Sequence, residues 1–408
     1  MLKKLINYSF FSILNSGLVL INGFLLAKYT SIEIFGILSF YQVLIIGLSQ
    51  LLNFNTLGLV PITLSGKIQV HFDDYLKIIH SLMLFAFTVI IIFTFLFSFF
   101  ANYDFTFILL LMLLLLLISS NDIDNSKLIG LGFSFNYGAA LFITRIIQFL
   151  FILFLGVMDL LTIKSWLILI IFSEFLSLLY RRNFTLFKVI DNLKTFFIIS
   201  AKSNFYYIIY YGLKYFPILI FGYLYQYADR YLMKFLMSPS DLGLFSYALL
   251  LSSSVSVFAS SLLNVFVPDI YKNNINSSKK ILRSSFLINV VAGLFIIFIL
   301  VICLPLISYV VDKPEIESLS HIFLITSFGV VFQGMYKIVG ALLDANILYW
   351  QKLCSFFVAS VVNIFALYLF FYFSSANILT FSIAYLLGNL SLFIVSLLFL
   401  LNHFKSKL

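Results

Sequence analysis

Charge is what this chain has least of. Asp, Glu, Lys and Arg make up 10% of its 408 residues, against about 25% in an average soluble domain. With 62% hydrophobic residues, the chain could not cover itself in water. Cysteine is nearly missing as well. Cys303 and Cys354 both fall within apolar runs, which supports neither a disulfide nor a metal site. The four histidines, His71, His80, His321 and His403, sit near the ends of such runs without metal-ligand spacing. No glycine-rich loop ending in Gly-Lys-Ser/Thr occurs, which excludes nucleotide hydrolysis by that route. No Ser/His/Asp arrangement suggests nucleophilic catalysis, and no connection is long enough to fold a catalytic domain. The expectation is a protein that is not an enzyme and carries no cofactor.

What the chain does have is apolar runs of membrane-spanning length, which need about 20 residues each. Spans are expected at 8–27, 35–58, 78–100, 105–121, 134–155, 162–180, 206–228, 242–265, 286–307, 319–341, 353–373 and 379–401. Ala101-Asn102-Tyr103-Asp104 separates the third from the fourth. Lys3 and Lys4 before an apolar run imitate a signal peptide. The run is long enough to span, however, and lacks a clear cleavage site, so it reads as a retained helix.

Orientation follows from the loop cations. With the N-terminus inside, 17 of the 25 Lys and Arg fall in inside loops and 5 in outside ones; Arg145, Lys214 and Lys337 lie within spans. Both termini are therefore expected in the cytoplasm. The charge of +9 is spread over these short loops and forms no basic domain that would hold nucleic acid.

The chain also resembles itself. Ser31-Ile32-Glu33-Ile34-Phe35-Gly36-Ile37-Leu38-Ser39-Phe40 aligns with Ser238-Pro239-Ser240-Asp241-Leu242-Gly243-Leu244-Phe245-Ser246-Tyr247 at an offset of 207 residues. Ser, Gly and Ser recur at identical spacing, and each copy joins the first two spans of a six-span half. A Ser that caps a new helix and a Gly that permits close packing give the pattern a physical sense. Six spans per half put both copies in the same orientation, so the repeats are parallel, related by an axis along the membrane normal. The expected fold is an all-α integral membrane protein of about twelve helices. Its two six-helix bundles, 1–205 with a cytoplasmic linker near 181–205 and 206–408, would surround a central cavity.

Phe24-Leu25-Leu26-Ala27-Lys28-Tyr29 leading into the first copy, and Asp229-Arg230-Tyr231-Leu232-Met233 leading into the second, resemble the Wzx-type O-antigen and capsule repeat-unit flippases. These belong to the multidrug/oligosaccharidyl-lipid/polysaccharide exporter superfamily. The likeness in length, span count and duplication covers the whole chain. It departs where Ile34 stands opposite the acidic Asp241. The resemblance implies a substrate of undecaprenyl-pyrophosphate-linked oligosaccharide, moved to the periplasmic leaflet of the bacterial inner membrane by alternating access. It also implies membrane lipids, a polymerase and a chain-length regulator of the same pathway as partners.

Ionisable groups within spans are costly and usually face a cavity or a partner. Arg145 lies mid-span on one face with Tyr137, Leu141 and Gln148, suited to pair bidentately with a diphosphate or to form a structural ion pair with Glu174. Lys214 shares a face with Tyr207, Tyr211, Tyr225 and Asp229 beside Pro217; this suits a phosphate among sugar rings, or a lysine snorkelling through an aromatic belt. Nine of the 24 tyrosines crowd positions 206–231, more than one interface needs. Lys337 and Glu174 lie in the cytoplasmic third, where Lys337 either contacts substrate or snorkels and Glu174 either carries a coupling ion or pairs. Asp229 and Arg230 form a coupling site or an interfacial pair. Polar stripes add Asn15 and Asn22 with Ser12, Gln42 and Asn53 with Ser49, and Asn264 with Ser246, Ser253 and Ser260. They would hydrogen-bond glycan hydroxyls in a lumen, or bond between packed helices.

Two other functions compete. A cation-coupled multidrug exporter of the same superfamily would be expected to present an acidic cavity. An integral-membrane O-antigen polymerase typically has a long periplasmic loop, and the outside loops here are short.

Overall fold

Inside hydrocarbon every backbone N–H and C=O must be satisfied within the protein, and a helix does this residue by residue. A computed structural model describes residues 2–52, 83, 87–88, 91–92, 105–130, 133–181, 204–272, 275–373 and 377–406. The helices among them are α1 (Leu2–Tyr29), α2 (Ile32–Leu52), α3 (Phe105–Gly130), α4 (Ser134–Val157), α5 (Ile163–Arg181), α6 (Asn204–Leu236), α7 (Pro239–Lys272), α8 (Ile275–Val311), α9 (Ser320–Ala345), α10 (Tyr349–Phe373) and α11 (Ile378–Ser406). A 3₁₀ turn, Pro314–Leu319, precedes α9. Eleven of the twelve expected spans coincide with these helices. The third, 78–100, lies outside the described residues except for five helical positions.

The chain is a multi-pass membrane protein. Eight of the described helices are long and apolar enough to cross a bilayer, and the side-chain distribution agrees. On α8, Leu287, Val291, Phe295, Phe298, Ile302, Leu306 and Tyr309 form an exposed stripe at helical spacing. The opposite face buries Ser285, Asn289 and Ser308. Large apolar groups outside and small polar ones inside are what a lipid environment selects.

Short connections are made by local hydrogen bonding. Helices α4, α8 and α9 end alike, each with a left-handed residue followed by a bond five residues back. The bonds are Leu160 N–H to Leu155 O at 2.9 Å, Lys313 to Ser308 at 3.2 Å and Leu348 to Leu343 at 2.9 Å. The left-handed residues are Asp159, Asp312 and Ile347, at φ 54°, 59° and 59°. Helix starts are held reciprocally: Thr162 with Ser165, Ser238 with Asp241, and Asn377 with Thr380.

Packing resolves the chain into two units, Met1–Tyr41 with Ile220–Leu408, and Gln42–Leu219. The linker expected near 181–205 lies almost wholly outside the described residues, so the halves 1–205 and 206–408 rest on the duplication. In the first unit, α9 is the central element, packed against α7 and α11, with α10 against α11 and α1 against α7. Phe245, Phe323 and Phe381 are fully buried there. The Ser252 hydroxyl joins Thr326 at 2.7 Å and Ser327 at 3.0 Å, tying α7 to α9. Lys352 pairs with Asp344 at 2.6 Å across the α9–α10 turn. In the second unit α5 packs on α3 and α4 around Leu114, Leu115, Trp166 and Leu167.

The two repeat copies meet each other within the first unit. A Cβ on Gly36 would lie 2.6 Å from the Gly243 nitrogen and 2.7 Å from the Pro239 oxygen; one on Gly243 would lie 2.1 Å from the Ile32 oxygen. Pro239 and Ile32 are equivalent at the offset of 207. The aromatic neighbours obey the same rule. Phe40 meets Tyr231 at 5.3 Å, and their equivalents Tyr247 and Phe24 meet at 6.1 Å. When residue i touches j and the equivalent of i touches the equivalent of j, the contact is isologous, about a local two-fold. The one departure noted in the repeat has a local cost. The Asp241 carboxylate accepts the Ser238 hydroxyl (2.6 Å), whereas Ile34 only donates its N–H to Ser31 (3.2 Å).

Ile347 is a β-branched residue held in the left-handed region while 45% exposed, a backbone cost of about 1–2 kcal/mol. Ile347→Gly should therefore raise stability by about 1 kcal/mol, read as a higher thermal unfolding midpoint of the purified protein in detergent. A lower midpoint would show that the side chain contributes more than the backbone loses.

Candidate functional site

Each unit encloses a polar cluster, built from helices that place one or two side chains each. In the second unit, α4 and α5 lie side by side, and a directed chain of hydrogen bonds runs between them. Arg145 Nη1 donates to Gln148 Oε1 at 2.8 Å, Gln148 Nε2 donates to Ser173 Oγ at 3.1 Å, and Ser173 donates to the Ile170 carbonyl. One of the five guanidinium donors is thus fixed by a side chain one turn along the same helix. Ser177 donates to the Ala140 carbonyl at 2.9 Å and holds the two helices together one turn further on. Glu174 faces α3, where Asn121 Nδ2 donates to its carboxylate at 2.7 Å and to its carbonyl at 3.0 Å.

Helix α3 outruns the expected span end at 121 by nine residues, to Gly130. That extension carries Asp122 into helix instead of a loop, directly after Ser119 and Asn121 at the end of the expected span. Ser119 and Asn121 are essentially inaccessible, and Asp122 lies in the field of Glu174 and Arg181 with Ser49 as a hydrogen-bond neighbour. The polar run Ser119 to Asn125 was the available signal, and its directness as a helix continuation was hidden by its loop-like composition.

In the first unit, α6, α9, α10 and α11 converge on Tyr225. Its hydroxyl donates to Asn389 Oδ1 at 2.8 Å and accepts from Gln333 Nε2 at 3.5 Å. Asn363 Nδ2 donates to the Tyr225 carbonyl at 2.9 Å, and one turn away Ser360 donates to the Phe221 carbonyl at 2.7 Å, fastening α10 to α6. Asn389 Nδ2 is satisfied by the Tyr385 carbonyl at 2.8 Å. One turn beyond Tyr225, Asp229 is 0% exposed. Its Oδ1 accepts the Arg230 backbone N–H at 2.7 Å, while its Oδ2 and the Oδ1 of Asn363 have no partner among the described residues. Asn363, Asn389 and Gln333 were not singled out from the sequence. A lone amide in an apolar run reads the same whether it glues helices or faces a site.

The remaining expected residues are dispersed. Arg230 places its guanidinium 5.6 Å over the Tyr227 ring. Asn15 and Asn22 are buried in α1, Gln42 is exposed on α2, and Lys337 is half-buried on α9. The side chains of Tyr207, Tyr211, Lys214 and Asn264, and all of Asn53, lie outside the described residues. Tyr225 and Asp229 thus share one cluster, and Arg145 and Glu174 lie in another.

A family model described as polysaccharide biosynthesis protein matches residues 232–407. No protein of curated function matches the chain. Among solved structures, a MATE transporter in complex with MaD3S is 13% identical with a TM-score of 0.68, over 99% of this chain and 96% of that one. An inward-facing multidrug resistance MATE family transporter of the MOP superfamily is 13% identical, with a TM-score of 0.63 over 96% and 95%. An outward-facing structure of such a transporter is 14% identical, with a TM-score of 0.64 over 99% and 96%. The fold is that of the MATE transporters. At this identity the likeness establishes architecture, and the all-α membrane fold expected from the repeats is the one observed.

Removing the Tyr225 hydroxyl leaves Asn389 Oδ1 buried without its donor, at a cost of about 1–3 kcal/mol. Tyr225→Phe should lower the thermal midpoint in detergent accordingly. An unchanged midpoint would mean that the hydroxyl does not hold α6 to α11.

Proposed function

We propose that this chain is a flippase for undecaprenyl-pyrophosphate-linked oligosaccharide, an O-antigen or capsule repeat unit. It would work by alternating access in the bacterial inner membrane, with both termini in the cytoplasm. The observation that carries this reading is the match of residues 232–407 to the polysaccharide-biosynthesis model on a transporter fold. The physical problem such a protein solves is the charge and hydration of a diphosphate and its sugars, since the polyprenyl tail is already at home in lipid. Arg145, Lys214 and Lys337 supply intramembrane cations for the diphosphate. Gln148 fixes the Arg145 guanidinium, which limits the freedom lost when an anion is bound. Asn15, Asn22, Gln42, Asn53, Asn264, Tyr207, Tyr211 and Tyr225 are the proposed glycan contacts. The membrane's own lipids and, in the same pathway, a polymerase and a chain-length regulator are the proposed partners.

Coupling is assigned to Asp229 with Asn363, whose oxygens, without a partner among the described residues, suit a proton or a hard monovalent cation. Glu174 and Arg230 are the other groups proposed for coupling or charge pairing.

The fold favours a second reading, a cation-coupled drug exporter. Against Arg145, Lys214 and Lys337, the acidic residues within helices include Asp122, Asp229 and Asp344 as well as Glu174. The flippase reading therefore leans on the family model more than on charge. Arg145→Ala should reduce surface glycan at least tenfold in cells lacking the chromosomal copy, with the protein still present in the membrane and ethidium efflux unchanged. Normal surface glycan in that variant would refute the role of Arg145, and loss of ethidium efflux would support the exporter.

A further inference from the structure

In the second unit, side chains from α2, α3 and α5 gather around two carboxylates and supply too few hydrogen-bond donors. Asp122 and Glu174 lie in each other's field. Asn121 Nδ2 has two protons, and both are spent on Glu174, one on its carboxylate at 2.7 Å and one on its carbonyl at 3.0 Å. The hydroxyl of Ser49, the hydrogen-bond neighbour of Asp122, has one proton, and the Ile46 carbonyl takes it at 2.8 Å. Toward Asp122, Ser49 is therefore an acceptor, and the proton between them belongs to the carboxyl. Asn121 shows the same shortage. It is 2% exposed, and its Oδ1 has no partner among the described residues. That oxygen sits on the carboxamide bonded to Glu174, so it faces into the cluster. Arg181, two turns beyond Glu174 on α5, lies in the field of Glu174, Asp124, Tyr137 and Asp122. Yet its buried Nε and Nη1 bond to nothing among the described residues. An ionised carboxylate within reach of a guanidinium draws a short charge-assisted bond. The open donors of Arg181 thus agree with a neighbouring carboxyl that keeps its proton. Tyr137 faces Arg181 and Asp122 from α4, together with Arg145.

We propose that Asp122 and Glu174 form a proton site, loaded in this structure, with Arg181 as the charge that replaces the proton. The proton sits on Asp122 and is donated to Ser49. On release the Asp122 O–H bond breaks, the proton passes to water, and Arg181 swings its open N–H groups onto the carboxylate left behind. The swing ties the end of α5 to α3 and gives the second unit a proton-dependent contact of its own, apart from Asp229 in the first unit. The site deepens the coupling role given to Glu174; it rests on the transport reading but on no particular substrate. The competing assignment is a permanent ion pair, with Asp122 ionised throughout.

The test uses the purified full-length protein in lipid nanodiscs, with infrared spectra read for protonated carboxyls, whose C=O band moves in deuterium oxide. At neutral pH, Asp122→Asn, a near-isosteric change, should remove one such band, while Asp229→Asn and Asp344→Asn leave it in place. A spectrum that loses no band in Asp122→Asn would overturn the site. Ser49→Ala keeps the carboxyl and removes its acceptor, so it should shift that band without reducing its area. If no band moves, the site is overturned, even where Asp122→Asn does not fold. Arg181→Gln removes the group that replaces the proton, so the band should persist to a proton concentration about tenfold lower, one pH unit. An unchanged titration would overturn the exchange with Arg181. Replacing potassium by sodium at constant pH should leave the band as it is; its loss would show that the pair takes a metal cation instead, which also overturns the proposal. None of these spectra depends on transport. If the unmodified protein delivers no glycan, the flippase reading fails, while the carboxyl bands still decide the proton site.

Discussion

A polar atom surrounded by hydrocarbon has only the protein to bond with, and that constraint organises this molecule. It explains why the described helices bury serine, threonine and asparagine and expose leucine, phenylalanine and valine, as α8 does along its length. It also explains why helices are tied to one another by single side chains reaching a neighbour's carbonyl. Ser177 to Ala140, Ser360 to Phe221 and Asn363 to Tyr225 are of this kind. Where the rule is met, the contact is structural. At Asp229, Asn363, Ser246 and Tyr247 a buried polar atom has no partner among the described residues.

The sequence exposed some of this because the physics leaves a periodic trace. Apolar runs of spanning length gave the helices, and Ser and Gly recurring 207 residues apart marked two turns whose glycines prove to touch. Repetition made Gly36 and Gly243 conspicuous, although nothing in the pattern said that the copies meet face to face. The partner of each intramembrane charge was less visible. A structural pair of Arg145 with Glu174 was one of two alternatives the sequence left open. In the structure, Nη1 of Arg145 is taken by Gln148, and Glu174 is held by Asn121 from α3. Such pairing depends on helix rotation, which hydropathy does not encode. The extension of α3 through Asp122 and Lys127 to Gly130 was equally hidden, because charged residues that continue a helix past a membrane interface look like the loop they replace.

These elements make a consistent physical case for carrying a large charged headgroup. Under the proposed function, cations within the helices would offset the charge that hydrocarbon rejects, amides and hydroxyls would replace the water lost from sugars, and a lipid tail would need no passage of its own. A protein that moved small organic cations would use the same architecture with the sign of its selective charge reversed. Fold therefore does not choose between the two; under the proposed function the choice rests on charge recognition, assigned to Arg145.

Direct binding decides that choice. The purified protein, with undecaprenyl diphosphate, undecaprenol and ethidium offered in turn, should bind the diphosphate lipid at least tenfold more tightly than the alcohol, a difference of about 1.4 kcal/mol, and Arg145→Ala should erase the preference. Equal affinity for the two lipids together with tight ethidium binding would contradict the account.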